Sequence, residues 1–203
     1  MSAPRSGSPR KPAVTSTPIH ELIADRWSPR AFDSTAEVTG EQLRAILEAA
    51  RWAPSFGNTQ PARYLVGRRG EPTFDRILAT LTERNQSWAH RAGVLMIGVA
   101  VTRNAKGDVP LAEYGVGLAS ENLALQAVAI GLAAHQMAGF DSDAARREFE
   151  LPAEVVPMIA IAVGVPADPE VLGEPRKIER ELAERERIPL AEVALREWES
   201  PMF

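Results

Sequence analysis

Val94-Leu95-Met96-Ile97-Gly98-Val99-Ala100-Val101 is an unbroken apolar run of strand length. A short run rich in β-branched residues marks a strand buried on both faces. Such a strand needs cover on each side, which implies a layered domain. Val155 to Val163 is a second run of the same kind. Between them lies the longest helical pattern, Leu111 to Leu132, followed by a short strand over Ala133 to Met137. From Asn122 to Phe140 no residue carries a full charge, with His135 taken as neutral. Length alone would raise a membrane span. Gln126, His135, Gln136 and the breaks at Gly131 and Gly139 argue against one. A helix apolar on all faces belongs in a core or a subunit interface.

Outward from this centre, Arg63 to Val66 reads as a strand, and Pro72 to Leu81 as a helix. Thr39 and Gln42 fit a capping box that opens a helix through Trp52. Thr17 with Pro18 predicts a short helix to Arg26, which Pro29 must stop. Ser142 is expected to cap a helix to Phe149, and a short helix is expected after Leu190. Residues 1–16, rich in Ser, Pro, Arg and Lys, read as a disordered arm without a signal-peptide core. Residues 17–203 read as a single α+β domain.

Composition excludes several chemistries. The 203 residues contain no cysteine, which removes disulfides, thiolate catalysis and iron–sulfur clusters, and is compatible with a reducing cytoplasm. His20, His90 and His135 show no metal-ligand spacing. A formal charge of -4 disfavours a general nucleic-acid role, although a local basic site can still exist. Gly-x-Gly-x-x-Gly, Walker, His-Glu-x-x-His and Gly-x-Ser-x-Gly patterns are all missing from the sequence.

Two polar islands carry the functional signal. In Arg26-Trp27-Ser28-Pro29-Arg30, alternate residues of an extended segment face the same way. Two guanidiniums and a hydroxyl so placed suit a phosphate, and a solvated basic turn is the equal alternative on spacing alone. In Pro54-Ser55-Phe56-Gly57-Asn58-Thr59-Gln60-Pro61, uncharged polar groups stand between two prolines, as the rim of a planar heterocycle or a polyol requires. A helix C-terminal turn is the plain alternative. Asn85-Gln86-Ser87-Trp88 reads first as a polar helix end, and Gln136-Met137-Ala138-Gly139 as a turn that allows close backbone approach. Arg185-Glu186-Arg187 closes a mixed-charge run whose default reading is a solvated helix.

In order along the chain these landmarks resemble the nitroreductase family of FMN-dependent oxidoreductases. Arg26-x-Ser28-x-Arg30-x-Phe32 is similar to the family's opening signature, and Pro54-Ser55-x-x-Asn58-x-Gln60-Pro61 to its polar loop. Asn85-Gln86-x-Trp88, Met137-Ala138-Gly139-Phe140-Asp141 and Arg185-x-Arg187-x-Pro189-Leu190 resemble later family segments, so the likeness covers about residues 17 to 195.

The resemblance implies a nitroreductase-like α+β fold, with a central mixed or antiparallel sheet flanked by helices and the long helix at a homodimer interface. It implies FMN as cofactor and NADH or NADPH as co-substrate. Arg26, Ser28 and Arg30 would hold the phosphate and the pyrimidine side, and Arg185 and Arg187 would complete the phosphate clamp. Pro54, Ser55 and Asn58 would come from the other subunit. Asn85 would meet the ring's polar edge, with Met137 and Gly139 near its reactive centre. A hydride would pass from NAD(P)H through FMN to a nitroaromatic, quinone or similar planar acceptor in ping-pong fashion. Arg30 would stabilise the reduced flavin's negative charge, with no acid or base assigned. Ala62 and Ala138 depart from common family residues and keep open a flavin-storage or sensor protein. Dehalogenation or flavin fragmentation on the same fold is a further alternative. No nucleic acid, membrane or metal is expected, and the cytoplasm is the expected compartment.

Overall fold

A computed structural model describes residues 8–203; the first part of the expected N-terminal arm, residues 1–7, lies outside the described residues. The elements follow in chain order. Helix α1 (Glu21–Asp25) and helix α2 (Gly40–Arg51) precede strand β1 (Ala62–Arg68). Then come α3 (Pro72–Thr80), α4 (Glu83–Ala89), β2 (Val94–Val101), a small hairpin of β3 (Arg103–Asn104) and β4 (Gly107–Asp108), and the long helix α5 (Ala112–Ala129). Strand β5 (Ala133–Met137), α6 (Ser142–Glu148) and β6 (Val155–Gly164) complete the centre. Helices α7 (Pro175–Leu182) and α8 (Leu190–Val193) and a hairpin of β7 (Leu195–Glu197) and β8 (Ser200–Pro201) follow.

The main sheet has the order β1-β2-β6-β5, and every neighbouring pair is antiparallel. Strands β2 and β6 are therefore the two inner strands. Period-2 geometry sends alternate β2 side chains to opposite faces. Leu95, Ile97 and Val99 pack with Phe74 and Ile77 of α3, Trp88 of α4 and Met137. Val94 and Met96 pack with Ile46 of α2 and with Leu123 and Ala127 of α5. Helices cover both faces, as the doubly apolar strand demands.

The capping box on α2 is present: Thr39 Oγ1 accepts from Gln42 N at 3.1 Å, and Gln42 Oε1 accepts from Thr39 N at 2.9 Å. Two helix starts differ from the sequence reading. The first helix begins at Glu21, because the His20 imidazole accepts from Leu22 N at 3.2 Å and takes the capping role expected of Thr17. Asp141, one residue before Ser142, caps α6 by accepting from Ala144 N at 2.9 Å. The segment around Asn85 and Trp88 is a helix of its own, α4, with Trp88 fully in the core. The long helix ends at Ala129, and Gly131 at φ 78° turns the chain into β5. Among the described residues, no helix is long and apolar enough to cross a membrane.

Close approach rather than torsion fixes one glycine. A Cβ on Gly67 of β1 would lie 2.3 Å from the backbone nitrogen of Phe74, so strand and helix meet there with no room for a methyl group. Gly67→Ala is expected to lower stability by about 1–3 kcal/mol through overpacking. Gly40→Ala, where a Cβ meets nothing within 4 Å, should stay within about 0.5 kcal/mol of the parent. Urea unfolding of the two variants measures the contrast.

Candidate functional site

The segment from Arg26 to Asp33 meets the chain at residues 165–167, just past the end of β6, and is braced from three directions. Phe32 is buried and forms an isolated bridge with Pro166, while Asp33 N donates to Val165 O at 2.9 Å and Ala167 N donates to Ala31 O at 2.9 Å. From beneath, His135 of β5 donates through Nδ1 to Pro29 O at 2.8 Å. Its ring lies 4.7 Å from Trp88, which in turn stacks on Phe32 at 6.2 Å. From the C-terminal side, Glu181 of α7 accepts at Oε1 from Arg30 N at 2.6 Å and from Ala31 N at 2.9 Å.

This bracing fixes the backbone that carries the guanidiniums. Arg26 lies with its Nη1 3.4 Å from Ser28 Oγ and its Nε 3.4 Å from Glu121 of α5. The Arg30 guanidinium is mostly buried and sits 3.6 Å from Glu181 Oε2. Arg185 donates through Nη1 to Lys11 O at 2.7 Å and to Ala24 O at 2.6 Å. Burial, then the neighbouring Arg26 and Arg187 cations, push the Arg185 pKa down, against the pull of Asp25. Cations crowded so that each disfavours its neighbour's charge form a field suited to an anionic group. Arg26, Arg185 and Arg187, far apart in sequence, thus share one electrostatic neighbourhood with Arg30 close by. Arg187 itself donates to the carbonyl of Glu186 at 2.7 Å.

The second group of expected site residues is also assembled. Asn85 of α4 donates through Nδ2 to Gly139 O at 2.9 Å, and Thr82 donates to the same carbonyl through its backbone N at 3.1 Å. A Cβ on Gly139 would come within 2.6 Å of Asn85 Nδ2, so the glycine is required for this approach. Asn85 therefore fixes the turn after β5, and Met137 is buried just before it. Since His135 holds Pro29 and Gly139 holds Asn85, β5 links the two polar clusters over about 13 Å of extended chain.

The Pro54–Pro61 loop stands apart. Gly57, Asn58 and Gln60 all have positive φ, at 52°, 54° and 49°. Ser55 Oγ accepts from Gln60 N at 2.9 Å and closes the loop. Pro61 packs on α5, where a Cβ on Gly115 would meet its ring at 2.7 Å. No hydrogen bond or ion pair among the described residues joins this loop to the Arg26–Arg30 segment. The cavity beside the loop, lined by Pro54, Ser55, Gln60 and Arg63 among others, holds only about 60 Å³. Ligand pockets begin at roughly 300 Å³. A larger open depression of about 600 Å³ lies along α2 at Arg44, Leu47, Glu48 and Arg51, without convergent polar groups beyond an internal Glu48–Arg51 pair.

His135 and Glu181 were not singled out as site residues from the sequence. A lone histidine in an apolar span carries no ligand spacing. One glutamate in the charged run before Arg185 looks like its neighbours, although it shares a helix face with Ile178 three residues before.

A family model described as "Nitroreductase family" matches residues 23–78 and 68–165. Arg185 and Arg187 lie beyond the matched segments. The chain is 32% identical over 183 residues to a Streptomyces coelicolor protein named NADH dehydrogenase/NAD(P)H nitroreductase, covering 79% of this chain and 88% of that one. It is 34% identical over 149 residues to an uncharacterized 15.4 kDa protein of Mycolicibacterium smegmatis, covering 69% of this chain and 99% of that one. Among solved structures, one described as an oxidoreductase containing FMN superposes with a TM-score of 0.85 at 32% identity, covering 90% of this chain and 93% of that one. A Desulfovibrio desulfuricans protein described as a nitroreductase in complex with FMN superposes at 0.69 with 29% identity, covering 90% of this chain and 98% of that one.

Burial pushes the His135 pKa down from 6.5 to about 4; the nearby Arg30 and Arg26 charges add to this, and its bonds to the Pro29 and Ser28 backbone oppose it. A depressed folded-state pKa means that the unfolded chain binds the proton first. The resulting stability is complete above pH 6.5 and is lost as pH falls towards 4. At pH 5 the neutral imidazole should already cost about 2 kcal/mol relative to pH 7. Urea unfolding at both pH values should show this loss in the parent and a correspondingly smaller one in His135→Gln.

Proposed function

The chain belongs to the nitroreductase family, and from that premise we propose that it is an FMN-dependent oxidoreductase that passes reducing equivalents from NAD(P)H to a small planar acceptor such as a quinone or nitroaromatic, in the cytoplasm. The observation that carries this reading is the braced Arg26–Arg30 segment, whose guanidiniums share one electrostatic neighbourhood with Arg185 and Arg187. The donor set fits a phosphorylated flavin. Guanidiniums bind phosphate oxygens in pairs, and Glu121, Asp25 and Glu181 leave a surplus of cations in the cluster. FMN, when bound, supplies the hydride chemistry.

The protein's own residues do the rest. Arg26, Ser28 and Arg187 hold the phosphate end. Arg185 has one Nη committed to the Lys11 and Ala24 carbonyls, so its share is as much to tie the N-terminal arm to α1 as to meet the anion. Arg30 would supply a fixed positive charge near the ring, which would favour the negative charge the ring gains on reduction in a water-poor site. Asn85 and the Met137–Gly139 turn would present backbone and amide groups to the ring, and the Gly139 N–H would be available as a donor to it. Residues 17–203 form the functional unit.

Two sites shared between two copies of the chain account for the loop. Pro54, Ser55 and Asn58 are assigned to the partner's flavin, since the 60 Å³ cavity beside them cannot enclose one. Large apolar side chains left exposed on the single chain support the same arrangement. Phe56 lies on the loop, with Trp52 just before it and Tyr114 on α5, and Ile188, Trp198 and Phe203 line the C-terminal segment.

The purified protein should be yellow, should sediment as a dimer, and should oxidise NADH or NADPH when given a quinone or nitroarene. A colourless protein that takes up no added FMN would overturn the reading. Arg26→Ala should weaken FMN binding about ten- to hundredfold, the worth of charge-assisted hydrogen bonds. Arg30→Ala should slow flavin reduction in stopped flow by more than it weakens FMN binding, and unchanged reduction would remove that role.

A further inference from the structure

Glu181 is the odd residue of α7. Its carboxylate is fully buried, while the next residue, Leu182, is 54% exposed. A helix ordinarily buries the leucine and exposes the glutamate. A buried carboxylate is retained only where hydrogen bonds and a countercharge hold it. Here Oε1 takes both available backbone donors, Arg30 N at 2.6 Å and Ala31 N at 2.9 Å. Oε2 accepts no hydrogen bond from the described residues, and meets the Arg30 guanidinium only at 3.6 Å.

The backbone of Glu181 is pinned independently. Lys11 Nζ donates to Glu181 O at 2.7 Å and lies over the Trp27 ring at 4.6 Å. Arg185, four residues further on and beyond the end of α7, donates to the Lys11 carbonyl. Glu181 thus stands where the N-terminal arm, the C-terminal helix and the Arg26–Arg30 segment converge.

We propose that Glu181 is a positioning residue of the flavin site: it holds the Arg30–Ala31 backbone in the conformation that presents Arg26, Ser28 and Arg30 to the cofactor, and its charge tempers that of Arg30. The inference rests on the flavin reading above. The long contact at Oε2 leaves the guanidinium only partly engaged, so Arg30 keeps donors free for the ring. The carboxylate also offsets part of its field, so the flavin's reduction potential stands below the value that an unopposed arginine would give.

Two substitutions separate the roles. Glu181→Gln keeps an oxygen acceptor for both N–H groups and removes the charge. Glu181→Ala removes both. The measurements are FMN dissociation constant by fluorescence titration of the apoprotein, midpoint potential of bound flavin, and melting temperature. Glu181→Gln should bind FMN within about threefold of the parent and show a higher midpoint potential. Glu181→Ala should bind about tenfold more weakly or worse, since two buried N–H donors lose their acceptor. Parental affinity and potential in both variants, whatever their melting temperatures, would overturn the assignment, and so would shifts that are the same in both. Should the alanine variant not fold, Glu181→Gln decides alone: a parental or lowered potential refutes the proposal. A parent protein that takes up no FMN fails the flavin reading itself, and the role of Glu181 falls with it.

Discussion

Strands β2 and β6 lie side by side in the middle of the sheet, paired from Val94↔Val163 to Val101↔Val155. Six of the eight β2 residues are apolar side chains fully removed from water or nearly so. Both of their faces have to be covered, and the rest of the molecule is arranged to cover them. Helices α2 and α5 lie on one side, and α3, α4 and α6 on the other. Each half of the core is continuous with this pair of strands. Burial of apolar area on this scale is the main term that opposes chain entropy, so the helices have little freedom to lie elsewhere.

The functional edge follows from the same constraint. Because β5 pairs with β6, its His135 faces the layer that contains Trp88 and Phe32. The aromatic stack of Phe32, Trp88 and His135 is both core and foundation for the Arg26–Arg30 segment. One end of it is apolar packing, and the other end is a hydrogen bond to Pro29. Gly139, two residues beyond β5, lets α4 close on the turn. The polar clusters are therefore not laid on a finished fold. They are the places where core elements end and their backbone groups need partners.

Much of the fold was legible in the sequence because its strongest signals are local. The runs at Val94–Val101 and Ala133–Met137 match the strands residue for residue. The capping box at Thr39 and Gln42 formed as expected. Helix starts at Thr17 and Ser142 shifted to His20 and Asp141, because a neighbouring side chain can cap nearly as well and sequence does not rank such rivals. Asn85–Trp88, read as a polar helix end, proved part of a separate helix, α4, whose bounds were hidden because seven mostly polar residues carry little periodicity. The small hairpins at Arg103–Asp108 and Leu195–Pro201 escaped for the same reason.

By itself the sequence determined the layered α+β architecture, the buried inner strands and the family. Those properties depend on side-chain polarity and spacing along the chain. Only the tertiary structure decided which of many charged residues matter. In the run from Glu174 to Glu186, only the three-residue spacing from Ile178 separates Glu181 from Glu179 or Glu184. Burial against the Arg30 and Ala31 amides does so, over a separation of about 150 residues. His135 likewise became a support for Pro29 only when β5 took the sheet edge. Long-range placement makes these assignments, because burial and charge pairing are properties of what surrounds a residue, not of the residue or its neighbours in sequence.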